Sequence, residues 1–242
     1  MRKITPGSFP DLPLYKEVKR QMVEALSSQE WKPGVAVPSG RSLSARLGVS
    51  MGTVRKAIDE LVLENILVRQ QGRGTFVAEH SPESRMFRFF NYETHDGVQK
   101  EPEVAIVGFS ESKADKIVAA KLGIAPGATV LNILTVRGFG SPMMFDHIRI
   151  PKKFFRKMTR ESLLPSAMYR QYQSQYGINV VRLEEAVRAA NASEEQAAIL
   201  QVAPGTALLE VHRVAYSFHD RPVEYRISYI NTAHHQYVRS VV

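Results

Sequence analysis

Residues 38–61 read "PSGRSLSARLGVSMGTVRKAIDEL", and the parsing of this stretch decides the fold of the first third of the chain. A short segment, about Ser42 to Leu47, has helical spacing and stops at Gly48, a residue suited to a left-handed helix terminus. Ser50 then offers a side-chain oxygen to the start of a second helix, with Thr53 three positions on. Val54, Ala57, Ile58 and Leu61 recur at helical period and form a buried stripe. Asn65 tolerates the left-handed turn that ends it. Helix, tight turn and helix at this spacing predict a helix-turn-helix.

Working outward, "PLYKEVKRQMVEALSSQE" places Leu14, Val18, Met22, Ala25 and Leu26 on one helical stripe. "WKPGVAVP" breaks that helix with Pro33, Gly34 and Pro38. On the other side, "ILVRQQGRGTFVA" holds two β-prone runs around a basic, glycine-rich tip at Gln71-Gly72-Arg73-Gly74. Three helices followed by a hairpin predict a winged helix-turn-helix. In that plan the second helix of the motif presents its first turn to the major groove, so Ser50, Met51, Thr53 and Arg55 are candidate DNA contacts. Gly52 allows a close approach of the backbone, and Arg41 is placed for a phosphate or a guanine. Gln71, Gly72 and Arg73 would reach the flanking backbone or the minor groove.

The 242 residues carry a net charge of +8, and residues 1–80 hold 12 basic and 8 acidic side chains, so the first third is the more basic per residue. That balance suits nucleic acid and also suits plain solubility. There is no cysteine, which excludes disulfides and thiolate metal sites and fits a reducing cytoplasm. No apolar run approaches the roughly 18 residues of a membrane span, and the first residues lack the apolar core of a signal peptide, so a cytoplasmic protein away from membranes is expected.

Beyond Val77 the chain turns polar, and residues 79–94 read as a linker. The aromatic run "MFRFF" at 86–90 is read as core packing or a domain contact rather than base stacking. The remainder contains an internal repeat: "LGIAPGATVLNI" at 122–133 matches "LQVAPGTALLEV" at 200–211. A helical segment precedes each copy, and a strand entered through proline follows, "SPMMFDHIRI" and "RPVEYRISYI". The repeat predicts a pseudo-symmetric antiparallel sheet with helices on one side. Arg137, with alternating apolar neighbours on its strand, either faces a cleft or reaches out to solvent. The histidines show no HExxH or paired spacing, no G-x-S-x-G elbow or phosphate-binding loop occurs, and no cysteine can act as nucleophile. No catalytic residue, metal site or cofactor is therefore expected.

The segments "PLYKEVKRQM", "KPGVAVPSGRSL", "LGVSMGTVRKAIDELVLENIL" and "RQQGRGTFVA", over about residues 12–78, resemble the DNA-binding domain of GntR-family bacterial repressors. The resemblance implies DNA contact by Arg41, Ser50, Thr53, Arg55, Gln71, Gly72 and Arg73. Two departures bear on base specificity: Gly40 stands where an acidic residue is common, and Met51 where an arginine often reads guanine. Residues of about 95–240 resemble the UTRA effector domain of the HutC-type branch, which shares its fold with chorismate lyase. That resemblance rests on "AAKLGIAPGATVLNILTVR", "SAMYRQYQSQYGINV", "EEAVRAANASEEQAAILQVAPGTALLEVHRV" and "DRPVEY". It implies effector contacts by Arg137, Asp146, Glu224 and Ser166, the last at a helix start suited to an anionic group. Thr135 replaces the first arginine of a pair common in the family, which favours a monocarboxylate or a neutral amphiphile over a doubly charged phosphate.

The expectation is thus an α+β chain: a winged helix-turn-helix over 1–78, a linker over 79–94, and a UTRA-like effector-binding and dimerisation domain over 95–242. Its expected function is ligand-responsive transcriptional regulation, in the repressor mode usual for the family. The expected partners are double-stranded DNA with a pseudo-palindromic operator, a small polar effector that could be a carboxylate, and a second copy of the chain. A lyase-like enzyme fused to a DNA-binding module, and an effector-independent DNA binder, are the alternatives.

Overall fold

The turn at Gly48 is left-handed (φ 72°), and its amide donates to the Ser44 carbonyl, closing helix α2 (Gly40–Leu47). This helix begins two residues earlier than the spacing predicts, because the Ser39 hydroxyl accepts from the Ser42 amide at 3.2 Å and caps it. Helix α3 (Met51–Leu63) is capped by Ser50, and its buried residues are Val54, Ala57, Ile58 and Leu61, the predicted stripe. Asn65 takes φ 53° just beyond it. Helix α1 (Leu14–Ser27) buries Val18, Met22, Ala25 and Leu26, while Leu14, at its first residue, is exposed. Lys19 of α1 donates to Glu60 of α3 at 2.9 Å, tying the two together at their rim. Strands β1 (Leu67–Gln70) and β2 (Gly74–Val77) form the expected hairpin.

The computed structural model describes residues 1, 3, 13–79, 92–95, 97 and 101–238. It divides into two compact units, Met1–Glu79 with Gly177–Val181, and His80–Tyr176 with Arg182–Val242. The run 86–90 and most of the segment read as a linker lie outside the described residues. The C-terminal end of that segment is not linker: Tyr92–Thr94 form strand β3, paired with β10 (His235–Tyr237). Among the described residues no helix is long and apolar enough to cross a membrane.

The second unit is built on the repeat. Its elements run β4 (Glu103–Lys113), α4 (Lys116–Leu122), β5 (Thr129–Gly138) and β6 (Pro142–Pro151). After a 3-10 turn (Pro165–Ala167) and α5 (Met168–Tyr176) the pattern returns as β7 (Arg182–Asn191), α6 (Glu194–Leu200), β8 (Ala207–Ser217) and β9 (Arg221–Ile230). The six long strands form one antiparallel sheet in the order β4-β5-β6-β9-β8-β7, which reads the same from either edge when the copies are exchanged. The helices repeat at a step of 78 residues, as do their caps, Asp115 and Ser193. Both hairpins slip register at equivalent pairs, after Arg137↔Met144 and after Ala215↔Glu224. The second hairpin carries two more residues, so the prolines that open β6 and β9, Pro142 and Pro222, are 80 apart. At the junction of the copies His147 pairs with Ile227, also 80 apart, which places the pseudo-two-fold axis at that pair.

Helical packing follows the same symmetry. Leu122 of α4 packs with Val130, Val214 and Tyr225, while Leu200 of α6 packs with Leu208, Val136 and Phe145, the equivalent positions of the other copy. Each helix therefore buries its stripe against strands of both copies. The expectation of helices on one side is only partly met. Tyr225 faces α4, but its neighbour Glu224 points to the opposite face, where Tyr169 and Tyr172 of α5 donate to it. A third helix thus covers part of the second face and leaves a cleft beside it.

Candidate functional site

Two surfaces, one on each unit, gather the residues singled out from the sequence. On the first, five of the eight predicted DNA contacts lie at helix starts: Arg41 on α2, and Ser50, Met51, Thr53 and Arg55 on the cap and opening of α3. The unpaired amides of such starts favour phosphate. Arg41, Arg55 and the wing residues Gln71, Gly72 and Arg73 are exposed. Other arginines of this unit are paired with carboxylates: Arg46 with Glu30 at 3.3 Å, and Arg69 with Asp59. Arg41, Arg55 and Arg73 meet no carboxylate among the described residues, so their charge remains available to an anionic partner.

The first turn of α3 divides its polar and apolar groups. The Ser50 hydroxyl accepts from the Thr53 amide at 3.1 Å and lies 2.8 Å from the Thr53 hydroxyl. Both hydroxyls are therefore already engaged in the cap. Met51 is 52 % exposed, and its methyl lies 3.5 Å from where a β-carbon on Gly40 would sit. The two departures from the family pattern are thus neighbours in space: Met51 lies over the position that Gly40 leaves bare.

On the second unit an open cleft lies between the sheet, α5 and the 3-10 turn before it. Arg137 and Ser166, two of the four effector contacts that the resemblance implies, line it. Asp146 and Glu224 do not: both are fully buried and stand behind the wall, holding arginines. Asp146 accepts from Arg137 Nε at 2.6 Å, from Thr135 at 3.0 Å and from Ser228 at 2.5 Å, with Arg226 3.6 Å away. Burial alone would raise its pKa, but the charges of Arg137 and Arg226 and the bond from Ser228 lower it to about 2. Glu224 accepts from Tyr172 at 2.8 Å, from Tyr169 at 3.0 Å and from Arg226 Nε at 3.0 Å. Burial works against the charge of Arg226, yet Glu224 and Asp146 together raise its pKa well above the ordinary value.

Arg213 completes the cationic wall, held by Glu185 at 2.6 Å. Gln171, fully buried, donates to the Ser162 carbonyl at 2.5 Å and accepts from the Leu164 amide at 2.9 Å, which fixes the loop that delivers Ser166. Sequence reasoning missed Arg213, Arg226 and Tyr169. The repeat contains a signal for two of them, since Arg213 is the second-copy equivalent of Thr135 and Arg226 that of Asp146. Mapping the candidate positions from one copy to the other would have found both.

Residues 98–236 match the UTRA domain, and residues 14–77 match the gntR family of bacterial regulatory proteins. The chain is 27 % identical over 220 residues to the histidine utilization repressor of Klebsiella aerogenes, covering 88 % of each. It is 27 % identical over 224 residues to the mannosyl-D-glycerate transport/metabolism system repressor MngR of Escherichia coli, covering 91 % of this chain and 92 % of that one. Among solved structures, the ligand-binding domain of a regulator assigned to the GntR family from Bordetella bronchiseptica is 31 % identical with a TM-score of 0.60, over 64 % of this chain and 98 % of that one. With a winged helix-turn-helix in its first unit and a UTRA sheet in its second, the chain belongs to the GntR family of bacterial transcriptional regulators.

Proposed function

We propose that the protein is a cytoplasmic, homodimeric repressor whose affinity for a pseudo-palindromic operator changes when a small polar metabolite, a carboxylate among the candidates, fills the cleft of the second unit. Residues 1–78 act as the DNA-binding part, 79–94 chiefly as connection, and 95–242 as the effector-binding and dimerising part. The observation that carries the reading is the cleft itself, where Arg137, Arg213 and Arg226 are each anchored from behind by a buried or nearly buried carboxylate and face open space. Charged groups held this way are organised before any ligand arrives.

Arg41, Arg55 and Arg73 supply the phosphate-facing charge of the DNA surface, and Met51 supplies an apolar base contact. A dimer would set two α3 helices one helical turn of DNA apart. An effector that prefers one dimer geometry by about 1–3 kcal/mol would shift operator affinity roughly 5–150-fold. Fluorescence anisotropy on operator DNA, with and without a panel of metabolites, tests this. A shift by one compound that is lost in Arg137→Ala supports the reading; operator affinity untouched by every compound would refute effector control.

A further inference from the structure

Arg226 occupies, in the second copy of the repeat, the place that Asp146 holds in the first. An acid in one half is thus matched by a base in the other, and the pairing of β6 with β9 brings them together, Arg226 Nη1 lying 3.6 Å from Asp146 Oδ2. Arg137 reaches the same oxygen from β5 through Nε at 2.6 Å. Arg226 gives its own Nε to Glu224 at 3.0 Å. Both guanidinium groups are therefore gripped through Nε from behind. Both terminal nitrogens of Arg137 and Nη2 of Arg226 have no hydrogen-bond partner among the described residues, and both side chains line the cleft.

We propose that Arg137 and Arg226 form a two-strand clamp for a single carboxylate on an effector whose body is apolar or aromatic, and that Arg226 is the residue that sets this specificity. The proposal rests on the reading of the cleft as the effector site and names the ligand class that the site takes. Planar guanidinium edges match a planar carboxylate. The charge balance favours one negative charge over two. Arg137, Arg213 and Arg226 are already answered by Asp146, Glu185 and Glu224. A phosphate monoester would add two negative charges to a neutral, poorly screened set; a carboxylate adds one. Thr135 cannot strengthen the anion site, because its hydroxyl is spent on Asp146 at 3.0 Å. The remaining walls include Val104, Pro102, Met144, Met168 and the ring of Tyr169, which suit an apolar body.

The test uses the full chain and two sets of probes that share a body: phenylacetate, phenyl phosphate and 2-phenylethanol, then hexanoate and hexyl phosphate. Binding is read by calorimetry and thermal shift, and operator affinity by anisotropy. At least one carboxylate is expected to bind about 10-fold or more tightly than its phosphate and alcohol counterparts. Arg226→Lys, which keeps a cation beside Glu224 and Asp146, is expected to retain the fold and to reduce that preference to about 3-fold or less. Arg226→Gln should abolish it. A lysine variant with the full preference overturns the role of Arg226. A phosphate ester that binds better than its carboxylate, or carboxylates that do not bind at all, overturns the ligand class. In either case the effector reading stands if some other compound shifts operator affinity through Arg137, and falls only if none does.

Discussion

Asp146 accepts hydrogen bonds from three side chains and faces a second guanidinium, all inside the protein. Replacing it with Asn would keep the shape but leave Arg137 without a carboxylate and Arg226 with Glu224 alone, so Asp146→Asn should cost about 3–5 kcal/mol in a denaturant melt. Because its folded pKa of about 2 lies below the unfolded value near 3.9, its contribution is full above about pH 4 and is lost as pH falls through 2. The mutant should therefore show a flatter loss of stability on acidification over that range. On the DNA surface, Arg41→Ala and Arg55→Ala should each weaken operator binding and reduce the slope of log affinity against log salt by about 1. If neither changes, those arginines do not touch phosphate. The Ser50 and Thr53 hydroxyls are engaged in the cap and Met51 is exposed beside them, which supports the proposed apolar contact of Met51 with a base edge such as a thymine methyl. Met51→Arg should then alter the preferred base at one operator position in a site-selection experiment, and identical selected sites would show that Met51 never faces the bases.

At the scale of elements, the two repeat helices are a controlled comparison within one chain. Both end in a left-handed residue, Gly123 at φ 57° after α4 and Gln201 at φ 55° after α6. Only glycine adopts this conformation without a β-carbon penalty. Gln201→Gly should stabilise the protein by about 0.5–1 kcal/mol, a rise of roughly 1–4 °C in Tm for a chain of this size. Unchanged or lower Tm would mean that the Gln201 side chain contributes something that the cap geometry does not reveal. The start of α6 carries a full capping box, Ser193 with Gln196, whereas α4 has Asp115 alone.

For the molecule as a whole, the pseudo-two-fold predicts equivalence in energy as well as in position. Leu122 and Leu200 are each 1 % exposed and occupy matching sites under α4 and α6. Leu122→Ala and Leu200→Ala should each cost about 2–5 kcal/mol and agree to within about 1 kcal/mol in equilibrium unfolding. A wide disparity would show that the two halves differ in how far they can relax. Much of the architecture was legible in the chain itself. The stripe of α3, the Ser50 cap, the turns at Gly48 and Asn65, and the repeat all depend on residues a few positions apart, where period, capping and turn chemistry act. The cleft was legible only in part. Arg137 and Ser166 were found through their resemblance to a family pattern, whereas Arg226 was missed because its role depends on meeting Asp146 across the two copies, and only a position-by-position mapping of the repeat would have singled it out. The sequence by itself determined the helices, hairpin and turns of the first unit, and that the second unit is built twice; the edge strands β4 and β7 and the short pair β3 and β10 were not read from it. Only the tertiary structure decided which charges meet. The register of β6 on β9 makes that choice, and a slip of one residue would have turned Arg226 to the opposite face of the sheet.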